Sequence, residues 1–581
     1  MVNQKQIKIT LLIYAAAVFF SFTFPIHTPP FRTYFQELFA ALSIMLPIGY
    51  LACLPQVSWR VPKIVILPVI LVVTICIQIS CGSILYPMDM VLPILVLICF
   101  AAAIIFGSTL AGQEDGLERL ITTLAIAFVV TGLVSVLLQQ LQLLNLQLQP
   151  FVFPLLTSNK VRPYANMAQP NLLALLLLFS LAATWMIYLK RKINPPTGLI
   201  IALLLLWGLA LTQSRIAWII LPIYAVFCWH QPTQTQKISK FVYPVLMLAF
   251  IGFVYVLPHF ISLFGFATES VGQRAGQTSV RLVLWQQALQ MSLMHPWIGV
   301  GWAQFGSQQI LLCTLFSPTE YADNAHNVLM NLVAEIGWPI TVAIFAGMAY
   351  WFYAACIRRW SNIYVRFASL IFLAIAIHSS VEFPLWSCFM LFPFGVLLGA
   401  LHPEQLGWET YQPRRGWVMV IFVISTVVVA GASWDYMRVV NGFIALKYQQ
   451  EGKKSPVGST EMPEWTLFSN YYDYFRVVKI AVGPGMPKED LDFLGKISLR
   501  FGHPAVLGRL ALAYANNQRP GEAIQVLLTI QRLFGDQYNG AYEYWKGYAQ
   551  SAPALYAEIF NHLPVPPATT EKQDSDDVTS E

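Results

Sequence analysis

The chain has 581 residues, of which 57% are hydrophobic and only 11% are charged, and its formal net charge is +6. Soluble domains carry about 25% charged residues. This composition therefore excludes an ordinary soluble protein and predicts an integral membrane protein. The positive charge fits anchoring residues at a membrane face and gives no indication of a nucleic-acid partner.

Apolar segments long enough to cross a bilayer recur from residue 10 onward. A helix needs about 18 apolar residues or more to cross a hydrocarbon core of roughly 30 Å. The sequence thus predicts an all-α polytopic membrane protein with about thirteen transmembrane helices. They lie near residues 10–25, 37–54, 62–80, 90–108, 118–140, 170–189, 197–213, 215–230, 241–264, 327–356, 364–378, 383–401 and 416–433.

Lysine and arginine are distributed unevenly between alternate loops. With the N-terminus in the cytoplasm, fifteen of them face the cytoplasm and six face the other side up to residue 433. Cytoplasmic loops carry the excess of positive residues, so this orientation is the expected one. It gives two long loops on the outer face, at 141–169 and 265–326.

The composition changes after Trp434 to the mixed charges of a soluble domain. We therefore predict a transmembrane domain over 1–433, a soluble helical domain on the outer side over 434–563, and a disordered acidic tail over 564–581. Residues 507–535 have two runs of helical periodicity separated by "NNQRPG". They predict either one tetratricopeptide-like repeat or a plain helical hairpin.

Two arginines stand out on the outer face. Arg215 lies between two apolar runs with almost no loop, and a charged group at such a depth is costly unless it is paired or hydrated. Arg281 opens an amphipathic stretch expected to lie along the membrane surface. Each has a plain alternative, a helix-end anchor for Arg215 and an ordinary interfacial helix for Arg281.

His326 is the principal candidate for acid-base chemistry, because an imidazole can accept a proton from a hydroxyl near neutral pH. It lies in "DNAHN" just before an apolar run. Asp323 or Asn324 is expected to cap the helix that follows, and the free N–H groups at such a start favour an anionic ligand.

Asn327, Asn331 and Glu335 recur every four residues and predict one polar stripe along a helix that enters the membrane. The stripe either lines the site or packs against other polar helices.

Four more polar residues occur near helix starts on the same face. His378 and Glu382 in "HSSVEFPLW" either orient one another or hold loops together, and the sequence slightly favours the structural role. Gln169 and Asn171 flank Pro170, and their amides either bind sugar hydroxyls or cap a helix.

These residues suit one kind of substrate. Arginines bind diphosphates, and a histidine activates an acceptor hydroxyl. No Cys-x-x-Cys or His-x-x-x-His pattern indicates a metal. A lipid diphosphate sugar is the substrate that needs both groups.

Several stretches together resemble the bacterial PglL-type protein O-oligosaccharyltransferases, within the wider O-antigen ligase and polymerase superfamily. They are "RPYANMAQPNLLALLL", "LTQSRIAW", "VRLVLWQQALQMSLMHPWIGVGWAQF", "DNAHNVLMNLVAEIG" and "HSSVEFPLW". The resemblance extends over roughly residues 10–433 in order and spacing. The resemblance implies an inner-membrane enzyme without metal or cofactor. Such an enzyme moves a preassembled glycan from undecaprenyl diphosphate to Ser or Thr of a periplasmic protein, often a type IV pilin.

By the same resemblance, His326 is the catalytic residue. The expected donor-binding residues are Arg215, Arg281, Gln169 and Asn327, and the expected supporting residues are Asn171, Asp323, Glu335, His378 and Glu382. Many relatives have a second histidine where this chain has Asn324, which argues against a mechanism that needs two.

Two other functions fit part of the pattern. An O-antigen ligase or polymerase would use a lipid-linked sugar as acceptor. The "HSSVEFPLW" stretch and the large soluble C-terminal region argue against this alternative. A transporter of lipid-linked sugars would place its charges near the membrane midplane in repeated halves, whereas these polar residues gather on one face.

Overall fold

The computed structural model describes residues 3–146, 148–155, 161–229, 238–268, 271–315, 319–402 and 410–566, with the backbone alone over 271–279. From residue 567 onward, the predicted disordered tail lies outside the described residues. The described chain is almost wholly helical. Its two short strands, β1 (Val61–Pro62) and β2 (Thr410–Tyr411), pair antiparallel.

The N-terminal half is a series of apolar helices. They are α1 (Gln4–Thr23), α2 (Tyr34–Ala52), α3 (Ile66–Ser80), α4 (Val91–Ala111), α5 (Gly116–Leu143), α6 (Pro170–Leu189), α7 (Pro195–Leu211), α8 (Ile216–Trp229) and α9 (Val242–Ser262). Three helices of mixed composition follow: α10 (Val271–Met294), α11 (Phe305–Leu312) and α12 (Val328–Ile336). The last apolar helices are α13 (Trp338–Ala355), α14 (Ile363–Ser379), α15 (Cys388–Ala400) and α16 (Arg415–Gln450).

Within the described residues, nine helical segments are long and apolar enough to cross a membrane, and α7, α8, α14 and α15 are shorter apolar helices. Together they correspond to the predicted segments, so the prediction of an all-α polytopic membrane protein is confirmed. The short α15 is buried along its whole length. It packs against α4, where Gly107 and Gly399 let the two backbones touch.

The predicted helix over 327–356 is wrong as one continuous element. It is divided into α12 and α13 at Gly337, whose φ of 81° favours glycine. A Cβ there would lie 2.6 Å from the carbonyl of Trp297, and the Trp338 amide donates to Pro296 at 2.9 Å. The loop around Pro296 therefore packs directly against the backbone at the break.

The polar stripe along α12 faces protein, because Asn331 and Glu335 are buried. Asn331 accepts a hydrogen bond from the Ala325 amide at 3.1 Å, and the Glu335 carbonyl accepts from Gln78 at 2.7 Å. The cap of α12 is Asn327, whose side chain accepts from two backbone amides, so the expectation of Asp323 or Asn324 as cap was wrong.

The C-terminal region consists of six further helices: α17 (Ser469–Lys479), α18 (Lys488–Arg500), α19 (Pro504–Asn516), α20 (Pro520–Leu533), α21 (Gly535–Ser551) and α22 (Pro553–Asn561). The predicted hairpin is present as α19 and α20, which pack through Leu507, Ala511, Ala523 and Leu527. Whether it is a tetratricopeptide repeat stays a prediction. Because α16 continues without a break across residue 433, one helix joins the two parts of the chain.

The C-terminal helices pack onto the turn before α4 and onto the segment that leads to His326. Arg500 of α18 donates to Asp89 at 2.6 Å. The amide of Thr319 donates to the carbonyl of Arg532 in α20 at 2.9 Å. The C-terminal region and the candidate site therefore lie on the same face.

Candidate functional site

The carboxylate of Glu382 joins three distant parts of the chain. Arg281 of α10 donates to its Oε1 at 2.5 Å, and Asn171 of α6 donates to the same atom at 3.2 Å. Its Oε2 lies 3.1 Å from Nδ1 of His326. Four segments that the sequence indicated separately thus meet at one side chain.

A tight turn after α14 holds Glu382 in place. The amides of Val381 and Glu382 both donate to the His378 carbonyl, at 3.0 and 2.9 Å, and Pro384 then starts a short 3₁₀ turn. Glu382 is buried. The carboxylate therefore has a fixed direction before any ligand binds.

His326 lies in the loop just before α12, with a φ of 47°. This left-handed conformation is uncommon for a residue with a side chain. The amide of His326 donates to Asn324 Oδ1 at 3.1 Å, and the next residue, Asn327, caps α12 and donates to the Ser380 carbonyl at 3.0 Å. These contacts hold the imidazole toward Glu382.

Asn171 is held in turn by two residues that were not predicted as site residues. Its Oδ1 accepts from Arg162 Nη2 at 2.9 Å and from Ser214 Oγ at 3.1 Å. Arg162 also donates to the Thr212 carbonyl at 3.0 Å. Both residues lie in stretches that the sequence analysis identified as polar. Which of those stretches contact one another could not be predicted from the sequence.

Arg215 is exposed just before α8 and lines a small cleft beside Glu382. The other walls of this cleft are Arg162, Asn171, Gln213, Ser214, Ile216, Arg281, His378 and Val381. Among the described residues, Nδ1 of the buried His378 has no hydrogen-bond partner. The cleft thus combines three guanidinium groups with an imidazole nitrogen.

Five predicted residues lie outside the walls of this cleft. One is His326, which borders the cleft through its 3.1 Å contact with Glu382. Gln169 directly precedes α6 and makes no capping hydrogen bond. Asn327 is close by, with its side chain occupied by the cap and by Ser380. Asp323 accepts from Tyr321 at 3.0 Å toward the C-terminal helices, and Glu335 lies two turns along α12.

The neighbours of Glu382 determine its charge. Burial would raise its pKa, but the hydrogen bond and charge of His326, followed by the charges of Arg281 and His378, hold its pKa below the usual 4.5. Glu382 is therefore ionised near neutral pH. A carboxylate only accepts hydrogen bonds, so Nδ1 of His326 carries a proton. In the neutral form of the imidazole the other nitrogen is then the acceptor.

This lowered pKa gives a prediction for stability. Because the folded protein holds the Glu382 proton less tightly than the unfolded chain, the ionised group stabilises the fold fully above pH 4.5 and progressively less as the pH falls through the lowered pKa. We expect the difference in melting temperature between the wild type and Glu382→Gln to be constant above pH 4.5 and to shrink below it. Thermal unfolding of the detergent-solubilised protein measures this; a difference that grows on acidification would contradict it.

Two family models match the chain. Residues 200–345 match the O-Antigen ligase model, and residues 367–546 match the model described as "Virulence factor membrane-bound polymerase, C-terminal". The first range contains Arg215, Arg281 and His326, and the second contains His378 and Glu382.

Two curated proteins of Acinetobacter baylyi are similar to the chain. A general O-oligosaccharyltransferase is 26% identical over 549 residues, which cover 91% of this chain and 93% of the relative. A ComP-specific O-oligosaccharyltransferase is 25% identical over 389 residues, covering 64% and 67%. With the polytopic helical fold, these matches indicate a membrane glycosyltransferase that is similar over most of its length to O-oligosaccharyltransferases and contains a region similar to O-antigen ligases.

Proposed function

We propose that the protein transfers a preassembled glycan from undecaprenyl diphosphate to a Ser or Thr hydroxyl of a periplasmic protein such as type IV pilin. The observation that carries this proposal is the shared carboxylate of Glu382, which accepts from Arg281 at 2.5 Å and lies 3.1 Å from His326. A diphosphate-binding group and a proton acceptor are thereby held side by side.

His326 acts as the general base in this proposal. Its Nδ1 proton is held by Glu382, so Nε2 accepts the proton of the acceptor hydroxyl. The hydroxyl oxygen forms a bond to the anomeric carbon of the first sugar while the bond from that carbon to the diphosphate oxygen breaks. The leaving group departs as undecaprenyl diphosphate, and no protein nucleophile is needed.

Arg215 and Arg281 stabilise the negative charge that grows on the departing diphosphate. Arg215 is exposed at the cleft, and the guanidinium of Arg281 is 22% exposed. Guanidinium groups bind phosphate oxygens in pairs. In this account Gln169 lies at the edge of the donor site, where its amide is suited to a sugar hydroxyl. The side chain of Asn327 is committed to the cap of α12 and to the Ser380 carbonyl, so it supports the site by holding the loop of His326.

The lengths of the helices around the cleft suit a lipid donor. The loop before Arg215 joins α7 to α8, and the loop with Glu382 joins α14 to α15. With 14 and 13 residues, α8 and α15 are about 20 Å long at 1.5 Å per residue, which is less than a bilayer core of roughly 30 Å. With their other ends at the cytoplasmic face, these helices place the cleft below the outer surface of the bilayer, where a lipid-linked donor reaches it.

In the proposed topology the N-terminus is cytoplasmic, and the cleft and the C-terminal helices are periplasmic, at the bacterial inner membrane. The excess of Lys and Arg in the opposite loops supports this. The 434–563 region is proposed to recognise the acceptor protein, because it packs on the loop before His326. The printed names of the two relatives, one general and one ComP-specific, describe different acceptor ranges.

Arg215→Ala is expected to lower the transfer rate by about a hundredfold, because one preplaced donor to the developing charge is lost. Arg32→Ala is the matched control: Arg32 is also exposed on the proposed outer face but does not line the cleft. Transfer of a lipid-linked glycan to purified pilin, with equal amounts of each variant, measures the effect. Equal rates for the two variants would exclude this role for Arg215.

The match to the O-Antigen ligase model supports a second candidate, in which the acceptor is a sugar of a lipid-linked glycan. The same donor chemistry serves both reactions. Supplying lipid A-core oligosaccharide in place of pilin, with the same donor, separates them. Transfer to the lipid-linked sugar alone would favour the ligase.

A further inference from the structure

Three aromatic rings lead from His326 away from the cleft. The centroids of His326 and Phe383 are 6.3 Å apart, and those of Phe383 and Trp386 are 4.6 Å apart. Trp386 stacks on Trp302, with centroids 5.9 Å apart and planes 8° apart. We call Trp302, Phe383 and Trp386 the aromatic platform.

The platform has a buried base and an open top. Trp302 is 9% exposed and its amide donates to Gln78 Oε1 at 2.9 Å, whereas Trp386 is 42% exposed. Trp386 also ends the 3₁₀ turn that begins two residues after Glu382. Since Trp302 covers one face of Trp386, the remaining indole surface is presented in a fixed position relative to the cleft.

We propose that the exposed indole of Trp386 binds a sugar ring of the donor glycan. One face of a pyranose presents C–H groups with slight positive charge, and these are attracted to the negative face of an aromatic ring. The inference rests on the proposed function, in which the reacting anomeric carbon lies near His326. The rest of the glycan must then extend from that point, and the platform is the adjoining surface.

The neighbourhood of Trp386 favours a sugar over a lipid chain as the occupant. Through Phe383, the indole is linked to the imidazole that faces Glu382, so it borders the reaction centre. Trp297 is 74% exposed, and its backbone packs against Gly337 between α12 and α13. Tryptophans at the lipid interface anchor helices, and Trp297 provides the comparison for that role.

The test compares the affinities of the full-length protein in nanodiscs for two probes. One is undecaprenyl diphosphate carrying an oligosaccharide of known composition, and the other is undecaprenyl diphosphate without sugar. For wild type, Trp386→Tyr and Trp297→Leu we expect tighter binding of the glycan-bearing probe. For Trp386→Leu we expect this preference to fall by about tenfold, with unchanged affinity for the sugarless probe.

Each other outcome contradicts the proposal. If Trp386→Leu lowered the affinity for both probes equally, the substitution would have disturbed the diphosphate site. Equal effects of Trp386→Leu and Trp297→Leu would mean that both tryptophans anchor the protein in the bilayer. Because binding is measured without an acceptor, a failure of pilin transfer in the same wild-type preparation would count against the proposed function alone.

Discussion

His326→Ala is expected to lower the transfer rate by about a thousandfold while the protein still folds and inserts. The variant lacks the only group in the account that accepts the hydroxyl proton, and general base catalysis contributes about 10² to 10⁴ in rate. The imidazole is 37% exposed, so its removal leaves no buried cavity. Turnover of lipid-linked glycan by purified protein with pilin as acceptor measures the loss.

His295→Ala is the matched control, because His295 is exposed and is not one of the residues that hydrogen-bond to Glu382. We expect it to retain near-normal turnover. Activity of His326→Ala within a few-fold of this control would show that His326 is not the base.

Glu382→Gln is expected to lower kcat by about a hundredfold without weakening donor binding. A neutral amide no longer fixes the protonated Nδ1 of His326, so the imidazole loses its orientation. At metal-bound histidines, a carboxylate that orients the ring through its other nitrogen contributes about 10 to 100-fold. In the wild type, Arg281 pairs with the Glu382 carboxylate at 2.5 Å. The substitution removes that negative charge and leaves the charge of Arg281 for the diphosphate. Donor KM should therefore stay the same or fall.

The separation of kcat from KM distinguishes positioning from a general loss of structure. Glu382→Asp keeps the charge and should recover part of kcat. A variant with normal kcat and raised donor KM would contradict the role of Glu382 and point to a donor contact instead.

The sequence was sufficient to predict the helical membrane fold, because each span is a local property of about 18 residues. It failed at 327–356, where apolar composition continues across Gly337 although the backbone turns there. The sequence does carry a local signal there, a glycine directly after the last residue of α12 and a proline at the start of α13. The prediction overlooked it because hydrophobicity alone was followed across Gly337.

The candidate site was predictable as a set of residues but not as a network. Arg281, His326 and Glu382 were all singled out, yet their shared contact spans up to 101 positions of sequence. The slight preference for a structural role of His378 and Glu382 came from their position beside Pro384, and nothing in the sequence indicated that Glu382 lies against Arg281. The roles proposed for these residues stay predictions.

By the resemblance to the O-oligosaccharyltransferases, Asn324 stands where many members of that family have a second histidine. Its side chain accepts a hydrogen bond from the amide of His326 at 3.1 Å. The residue therefore shapes the loop that presents His326, which a neutral amide can do without taking part in proton transfer. A mechanism with one histidine is consistent with this contact.

The central claim is that this cleft attaches a glycan to a protein. The most direct test is the intact mass of a pilin from cells that make a defined undecaprenyl-linked glycan, with wild-type protein or His326→Ala at equal abundance. We predict a mass increase equal to the glycan with wild type and an unmodified pilin with the variant. An unmodified pilin with wild type, together with the same glycan on the lipopolysaccharide of those cells, would contradict the claim and identify a ligase.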